Sequence, residues 1–120
     1  MELRNGMDLV EVDRIARAME TGPFLRRFFS PEEQAYFLLR KQAPQTVAAN
    51  FAAKEAFAKA MGTGVRGFAL REVAVLRDPL GRPYLALSGR AAALGEGWRF
   101  AVSLTHTQTT AGAVITAWKE

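Results

Sequence analysis

FAAKEAFAKAMGTG, residues 51–64, predicts a strong helix that ends at Gly62, because alanine, lysine and glutamate favour helices and glycine terminates them. Glu55 and Lys59 are four residues apart, so they share one helix face with alanine, phenylalanine and glycine. Two opposite charges on such a face indicate either a partly solvated ion pair or the lining of a functional site. The helix alone leaves both interpretations open.

The length and composition of the chain limit the classes of protein to which it can belong. It has 120 residues, 49% of them hydrophobic, which predicts one compact domain covering residues 1–120. The lack of cysteine excludes disulfides, thiol catalysis and thiolate metal sites. No run of about 18 apolar residues and no cleavable signal is found, so we expect a soluble cytoplasmic protein without a membrane partner. A domain this small forms a deep cleft most readily with copies of itself.

The charge balance favours a polyanionic partner. The net charge is +4 and the isoelectric point about 10.0, which suits nucleic acid, a phosphate-rich cofactor or an acidic protein. The longest unbroken basic run is only two residues, which argues against a disordered nucleic-acid tail. A small basic nucleic-acid-binding domain is the alternative interpretation. Because no recognised binding motif occurs, we expect no nucleic-acid partner.

The N-terminal quarter contains a predicted strand and a basic segment. Residues 7–12 alternate as a strand does, and Asp8 shares a face with Val10. Aspartate is unfavourable there, so Asp8 is either at the frayed start of the strand or a carboxylate held for metal or proton chemistry. A helix at 13–20 follows. The turn at 24–29 mixes aromatic residues with two arginines, which indicates either core phenylalanines or a docking patch for a negative helix.

The remaining chain alternates between helices and strands. We predict helices at 31–42 and 45–61, a hairpin formed by residues 70–77 and 82–87, a short helix after Ser88, and strands at 99–107 and 111–118. The glycines of 62–64 could present backbone N–H groups to an anion, a weak phosphate signal by itself.

His106 is the only histidine and falls on the apolar face of its predicted strand. It is either a hydrogen-bonded core residue or a ligand. Together with Asp8 and Glu55 it makes three titratable groups among apolar neighbours, a placement that shifts pKa values and is typical of functional sites. Periodicity does not show that the three converge.

Four motifs taken together resemble a known family. They are GMDLVEV at 6–12 with Arg14 and Ile15, FAAKEAFAKAMGTG at 51–64, GRPY at 81–84 and VSLTHT at 102–107. In this order and spacing they cover nearly the whole chain. They resemble the bacterial holo-acyl-carrier-protein synthases, the short type of 4′-phosphopantetheinyl transferase.

The resemblance implies a fold, an activity and partners. The fold would be a single-domain α+β phosphopantetheinyl transferase-like fold, a mainly antiparallel sheet packed on a long helix. The chain would form a homotrimer with active sites at subunit interfaces. The implied enzyme transfers 4′-phosphopantetheine from CoA to a serine of apo-acyl carrier protein, depends on Mg²⁺ and releases adenosine 3′,5′-bisphosphate. It would thereby support fatty acid biosynthesis.

The resemblance also implies roles for individual residues. Asp8 and Glu55 match the metal carboxylates, Lys59 would stabilise the leaving phosphate, and His106 would bind the pyrophosphate. Glu55, Lys59 and His106 are therefore the expected catalytic residues. The base that deprotonates the carrier serine is either Glu55 or a metal-ordered water, with the water favoured. Around the cofactor the matching residues are Lys54, Gly62, Thr63, Gly64 and Pro83, and those expected to bind the acidic carrier are Arg14, Phe24 and Arg27.

Three departures from the family pattern affect these expectations. Asn50 stands where many members have arginine, so one phosphate contact is absent or supplied elsewhere. Thr110 stands where members often have tyrosine. The polar opening at residues 1–5 predicts that the first strand begins late. The first two departures keep open a CoA-binding homologue without catalysis.

Overall fold

The computed structural model describes residues 1–120 as strands and helices in the order of an α+β protein. The first half contains β1 (Glu2–Glu11), α1 (Val12–Met19), α2 (Phe24–Phe28), α3 (Pro31–Leu39) and α4 (Pro44–Met61). The second half contains a 3₁₀ turn (Leu70–Glu72), β2 (Val73–Arg77), β3 (Pro83–Leu87), α5 (Gly89–Leu94), β4 (Arg99–His106) and β5 (Thr110–Lys119). The predicted α+β class is confirmed.

The strands form two antiparallel sheets. One has three strands in the order β1-β5-β4, and the other is the predicted β2-β3 hairpin. The expectation that the first strand begins late is wrong, because β1 starts at Glu2 and is paired along its whole length with β5, from Glu2 opposite Lys119 to Glu11 opposite Thr110. The polar opening residues are tolerated because that part of the strand is exposed. Thr116 also donates a hydrogen bond of 3.0 Å to Asn5 across the pair.

One face of the three-stranded sheet packs against α4, and Gly6 is the point of closest approach. A Cβ at Gly6 would collide with the backbone carbonyl of Ala56 and would lie 2.6 Å from the backbone nitrogen of Ala60. Only glycine therefore allows β1 to lie directly on the backbone of the alanine-rich helix. Asp8, two residues further along the strand, faces the same helix because side chains alternate with a period of two.

The helix boundaries follow local signals only in part. Ser30 caps α3 in a reciprocal capping box with Glu33, and Gly62 ends α4 in the left-handed conformation with φ 74°. The predicted turn at 24–29 is the short helix α2. Ser88 makes no side-chain capping bond to α5. Glu72 caps the N-terminal end of α5 instead, since its carboxylate accepts a hydrogen bond of 3.3 Å from the backbone N–H of Ala91. None of the helices combines the length and apolar character that a membrane span requires.

The other face of the three-stranded sheet carries exposed apolar side chains. Leu3, Met7 and Leu9 alternate along β1 and are 60%, 66% and 70% exposed. Met7 and Leu9 border a shallow hollow of about 160 Å³ that extends over β5 and β4. Large apolar side chains in a row on the outside of a sheet are typical of interaction surfaces.

Candidate active site

Asp8 is held in the middle of β1, opposite Ala113 of β5. The interpretation of Asp8 as a frayed strand start is therefore wrong. The Lys59 ammonium donates 3.0 Å hydrogen bonds to Asp8 Oδ1 and to the backbone carbonyl of Met7. The Asp8 side chain is 18% exposed and that of Lys59 57%, so the ion pair is open to solvent on its lysine side.

Glu55 lies one turn before Lys59 on α4 but forms no ion pair with it, since the ion pairs of the protein are Arg4–Glu2, Lys54–Glu33 and Lys59–Asp8. The interpretation of Glu55 and Lys59 as a local ion pair is therefore wrong. Burial raises the pKa of Glu55, and the negative charge of Asp8 raises it further, while Arg14 and Lys59 act in the opposite direction. The structure therefore brings two mutually repelling carboxylates together beside two cations.

The donor set at this place suits Mg²⁺ bound together with a phosphate substrate. The chain contains no cluster of three or more histidine and acidic side chains able to hold a metal by themselves. Mg²⁺ usually takes one or two carboxylates and completes its shell with phosphate oxygens and water. Asp8 and Glu55 supply such a pair, and a divalent cation would relieve the repulsion that, after burial, is the second cause of the raised Glu55 pKa. The residues present fit the ion.

His106 is the last residue of β4 and is exposed, so the interpretation as a core histidine is wrong. Its Nδ1 lies 3.2 Å from the carbonyl of Thr107. In the sheet register Val10, Ala111 and His106 are neighbours, which places His106 on the same face as Asp8 but two strands away. Two strand spacings amount to about 10 Å. Within one copy of the chain, no hydrogen bond joins His106 to Lys59.

Lys54 directly precedes Glu55 in the chain, but its side chain lies on a different side of α4, away from Asp8. Its side chain is fully buried, and its ammonium donates to Glu33 Oε1 at 2.6 Å, to the carbonyl of Val73 at 2.7 Å and to that of Leu70 at 3.1 Å. All three of its hydrogens have acceptors. Lys54 therefore has no donor left for a cofactor in this conformation.

The other predicted cofactor residues lie in two further places. Gly62, Thr63 and Gly64 form the largely exposed end of α4, where Thr63 donates to the Gly64 carbonyl at 2.8 Å. Pro83 begins β3 and borders a hollow of about 230 Å³ next to Phe100. Neither group of residues forms a hydrogen bond or an ion pair with the Asp8 side chain, whose partner is Lys59.

The predicted carrier-binding residues lie together on α1 and α2. Phe24 packs its ring on Phe28 and Phe51, with centroids 5.4 Å and 6.1 Å apart. The Arg14 guanidinium lies 5.9 Å from the Phe51 ring, and the Arg27 guanidinium 5.4 Å from the Phe28 ring. Both arginines are exposed, so aromatic packing and exposed basic charge coexist here. Because Arg14 also lowers the Glu55 pKa, this patch borders the carboxylate pair.

Sequence reasoning missed a buried polar network behind α4. Asn50 is fully buried and donates to Glu33 Oε2 at 3.0 Å and to the Val75 carbonyl at 3.1 Å. Its own Oδ1 accepts from Arg77 at 3.0 Å. The signal that could have revealed the network is the pair Asn50 and Lys54, two polar residues one turn apart on an alanine-rich helix. Their partners come from distant positions.

Comparison with known proteins defines the class. Residues 4–116 match the family model of the 4′-phosphopantetheinyl transferase superfamily. A protein of Treponema denticola is 46% identical over 119 residues, which cover 96% of this chain and 97% of the relative, and one of Clostridium botulinum is 44% identical over 109 residues, covering 88% and 89%. The chain belongs to the 4′-phosphopantetheinyl transferase superfamily. Both relatives bear the name holo-[acyl-carrier-protein] synthase, so the resemblance seen in the four motifs is confirmed.

Solved structures agree. The holo-[acyl-carrier-protein] synthase of Neisseria meningitidis is 34% identical and superposes with a TM-score of 0.88 over 97% of this chain and 98% of that chain. The synthase–CoA complex of Chronobacterium ammoniagenes is 29% identical, with a TM-score of 0.87 over 100% and 99%. The fold is shared from end to end.

Proposed function

We propose that this protein transfers 4′-phosphopantetheine from CoA to a serine hydroxyl of apo-acyl carrier protein. The observation that carries the proposal is the group formed by Asp8, Glu55 and Lys59 in a chain of this superfamily. The products are holo-acyl carrier protein and adenosine 3′,5′-bisphosphate. Residues 1–120 act as one transferase domain, and the activity supports fatty acid biosynthesis in the cytoplasm.

The reaction is a phosphoryl-type displacement. The serine oxygen of the carrier forms a bond to the phosphorus that bears pantetheine, and the bond from that phosphorus to the bridging oxygen of the pyrophosphate breaks. Negative charge develops on the departing adenosine 3′,5′-bisphosphate. Catalysis of such transfers consists mainly of positioning and charge stabilisation. A lysine with an exposed ammonium beside two carboxylates suits both tasks.

Lys59 is placed to receive the departing phosphate. Two hydrogens of its ammonium are donated to Asp8 and the Met7 carbonyl, and because the side chain is 57% exposed, the third is free for a ligand. Asp8 and Glu55 would hold Mg²⁺, which when bound neutralises pyrophosphate charge. The serine proton goes to Glu55 or to an ordered water. Because Glu55 would also hold the metal ion, the water is favoured as the base.

The proposed enzyme is a homotrimer, as its family resemblance implies. His106 lies two strands away from Asp8 and Pro83 borders a separate hollow, so a neighbouring copy of the chain could supply further cofactor contacts beside Lys59. The exposed apolar row of Leu3 and Met7 along β1 offers the surface for association. We therefore place the active sites at subunit interfaces.

The carrier is expected to dock on α1 and α2. Acyl carrier proteins are acidic, and Arg14 and Arg27 present exposed positive charge next to partly buried Phe24. Complementary charge of this kind accelerates encounter and selects the partner more than it adds affinity. The nearness of Arg14 to Glu55 would direct the serine toward the carboxylate pair.

The test is a mass measurement on the carrier. Purified protein, CoA and Mg²⁺ are incubated with several apo-acyl carrier proteins, and each carrier is expected to gain the mass of one phosphopantetheine. Omitting CoA or adding excess EDTA is expected to abolish the gain. No gain on any carrier, with CoA still bound, would identify a CoA-binding homologue without catalysis and contradict the proposal. A carrier whose acceptor serine is replaced by alanine is the matched control.

A further inference from the structure

Lys54 and Glu33 form an ion pair in the core, where no ligand reaches it. Both side chains are fully buried, and Lys54 Nζ lies 2.6 Å from Glu33 Oε1. The other two hydrogens of the ammonium go to the carbonyls of Leu70 and Val73. Moving two charges out of water is costly, and replacing such a pair with apolar side chains often leaves stability unchanged or raises it. A gain in stability therefore does not explain why the core contains this pair.

The Glu33 carboxylate connects three elements of the fold. Its Oε1 also accepts the backbone N–H of Ser30, at the start of α3, at 2.9 Å. Its Oε2 accepts from Asn50 of α4 at 3.0 Å and from the backbone N–H of Val75 in β2 at 3.2 Å. Hydrogen bonds to a charged group are strong and depend on direction. Together with the bond from Lys54 they define one arrangement of α3, α4 and β2.

The opposite side of α4 carries the proposed catalytic lysine. Lys54 and Lys59 are five residues apart, which at about 100° per residue places their side chains about 140° apart around the helix. Lys59 donates to Asp8 Oδ1 at 3.0 Å. A rotation of α4 that broke the bonds of Lys54 would therefore also turn Lys59 and Glu55 relative to Asp8.

The ion pair also borders the segment that is proposed to dock the carrier. Phe29 directly follows α2, and its ring centre lies 4.9 Å from Lys54 Nζ. The Phe29 ring is buried and packs on that of Phe24, with centroids 5.8 Å apart. Phe29 contacts Lys54 and Ser30 is bonded to Glu33, so the two residues that link α2 to α3 are both held by the pair.

We propose that Lys54 and Glu33 are positioning residues, which hold the carrier-docking helix α2 at a fixed distance and angle from the Asp8–Glu55–Lys59 group. This role rests on the proposed function. The docking surface determines where the acceptor serine lies, and the charged group determines where the phosphorus lies. A misplacement of about 1 Å between reacting groups can lower a rate about a hundredfold. Lys54 thus acts on the transfer through Glu33 rather than through the cofactor.

The test separates CoA binding from turnover. The wild type, Lys54→Met, Glu33→Gln and the double variant are titrated with CoA by calorimetry without a carrier, which gives the Kd and the number of sites per chain. We expect each folded variant to keep the Kd for CoA within about twofold, because Lys54 has no donor left for a ligand. The number of sites measures the folded fraction, and the kcat from the carrier mass assay is normalised to it.

The positioning role predicts a loss of kcat without a loss of affinity. We expect the normalised kcat of each single variant to fall about tenfold or more, and the KM for the carrier to stay within about threefold, since the exposed Arg14 and Arg27 are unchanged. The double variant is expected to be more active than either single variant, because it buries no unpaired charge. Leu87→Ala is the control: it removes apolar packing from β3 without touching the pair, so it is expected to lower the Tm and keep the normalised kcat.

A normalised kcat within about twofold of the wild type in the single variants would overturn the proposal. So would a Kd for CoA that rises about tenfold in both Lys54→Met and the double variant, since Lys54 would then contact the cofactor. If neither single variant folds, the double variant decides: it is expected to bind CoA normally with a kcat about threefold or more below the wild type, and a wild-type kcat would overturn the proposal. A wild type that modifies no carrier would contradict the proposed function and this inference with it, whereas the preceding outcomes leave the proposed function intact.

Discussion

Lys54 and Glu33 form an ion pair of 2.6 Å with neither side chain exposed to solvent. It joins α4 to the start of α3, where Glu33 also accepts the Ser30 backbone N–H at 2.9 Å. The next residue, Glu55, lies on a different side of α4 and faces Asp8. The pair thereby fixes the rotation of α4 about its own axis, and with it the direction of Glu55.

Removing either partner of the Lys54–Glu33 ion pair alone is expected to destabilise the fold, because the remaining residue is then buried and charged without a partner. We expect Lys54→Met and Glu33→Gln each to lower the free energy of unfolding by about 3–5 kcal/mol. The double variant is expected to lose clearly less than the sum, since no charge is left unpaired. Chemical denaturation of the four proteins measures the cycle, and additive losses would contradict the coupling.

Gly6 is expected to tolerate no side chain. Alanine there would drive a methyl group into the Ala56 carbonyl, and neither backbone can move without separating β1 from α4. We expect Gly6→Ala to lower the free energy of unfolding by about 3 kcal/mol or more. Gly22→Ala is the matched control, since nothing lies within 4 Å of its added Cβ. Equal unfolding midpoints for the two variants would show that the close contact is absent in solution.

Asp8 and Glu55 are expected to matter for activity rather than for stability. Asp8→Asn and Glu55→Gln each remove one carboxylate of the proposed Mg²⁺ pair, and we expect turnover to fall at least about a hundredfold. Because burial and repulsion disfavour the charge of Glu55, Glu55→Gln is expected to keep or slightly raise the Tm. Turnover is measured by the carrier mass assay, with the exposed Glu96→Gln as control. Near-normal turnover in either variant would remove that residue from the site.

Charge reversal on the carrier surface is expected to act on one substrate only. Arg14→Glu or Arg27→Glu is expected to raise the KM for the acyl carrier protein about tenfold or more, because like charges then repel the acidic partner. The KM for CoA is expected to stay within twofold of the wild-type value. Arg99→Glu makes the same charge change on the start of β4 and serves as control. A carrier KM that does not depend on position would argue against docking on α1 and α2.

Glu72 gives a pH-dependent stability test. Hydrogen bonds from the backbone N–H groups of Ala69 and Ala91 lower its pKa, the first being the main cause. A pKa that is lower in the folded state means that Glu72 stabilises the protein above the ordinary carboxyl pKa, and that this contribution is lost as the pH falls through the folded-state value. Glu72→Gln is thus expected to be less stable than the wild type at pH 7 and equally stable in acid, as measured by denaturation at a series of pH values. A difference that does not change with pH would contradict the assignment.

The local features of the chain were predictable from sequence, and the long-range ones were not. Periodicity predicted α4 and the hairpin, because those elements depend on neighbouring residues. The family resemblance placed Lys54 near a cofactor, whereas its ammonium donates in the core to Glu33, 21 residues earlier in the chain. The early start of β1 also escaped prediction, since its partner Lys119 lies at the other end of the chain.

The candidate site also combines features that the sequence predicted with features that it did not. The convergence of Asp8 and Glu55 followed from the family motifs, and the structure adds its physical reason, the contact of Gly6 with α4. Periodicity also put His106 on the correct face of its strand but could not decide between a core residue and a ligand, and the structure shows that His106 is exposed. Periodicity did not show how far His106 lies from Lys59, since the two residues belong to elements far apart in the chain.

Helix α4 has a structural role on one side and a functional role on another, which limits how the sequences of this family can change during evolution. Asn50 and Lys54 face the buried network, while Glu55 and Lys59 face the exposed carboxylate group. One residue inserted or deleted between Asn50 and Lys59 would turn one half of the helix by about 100° against the other. Substitutions at tolerant positions of this segment keep that relation, whereas a change in the number of residues does not, so alignments of active descendants are expected to be free of gaps across it.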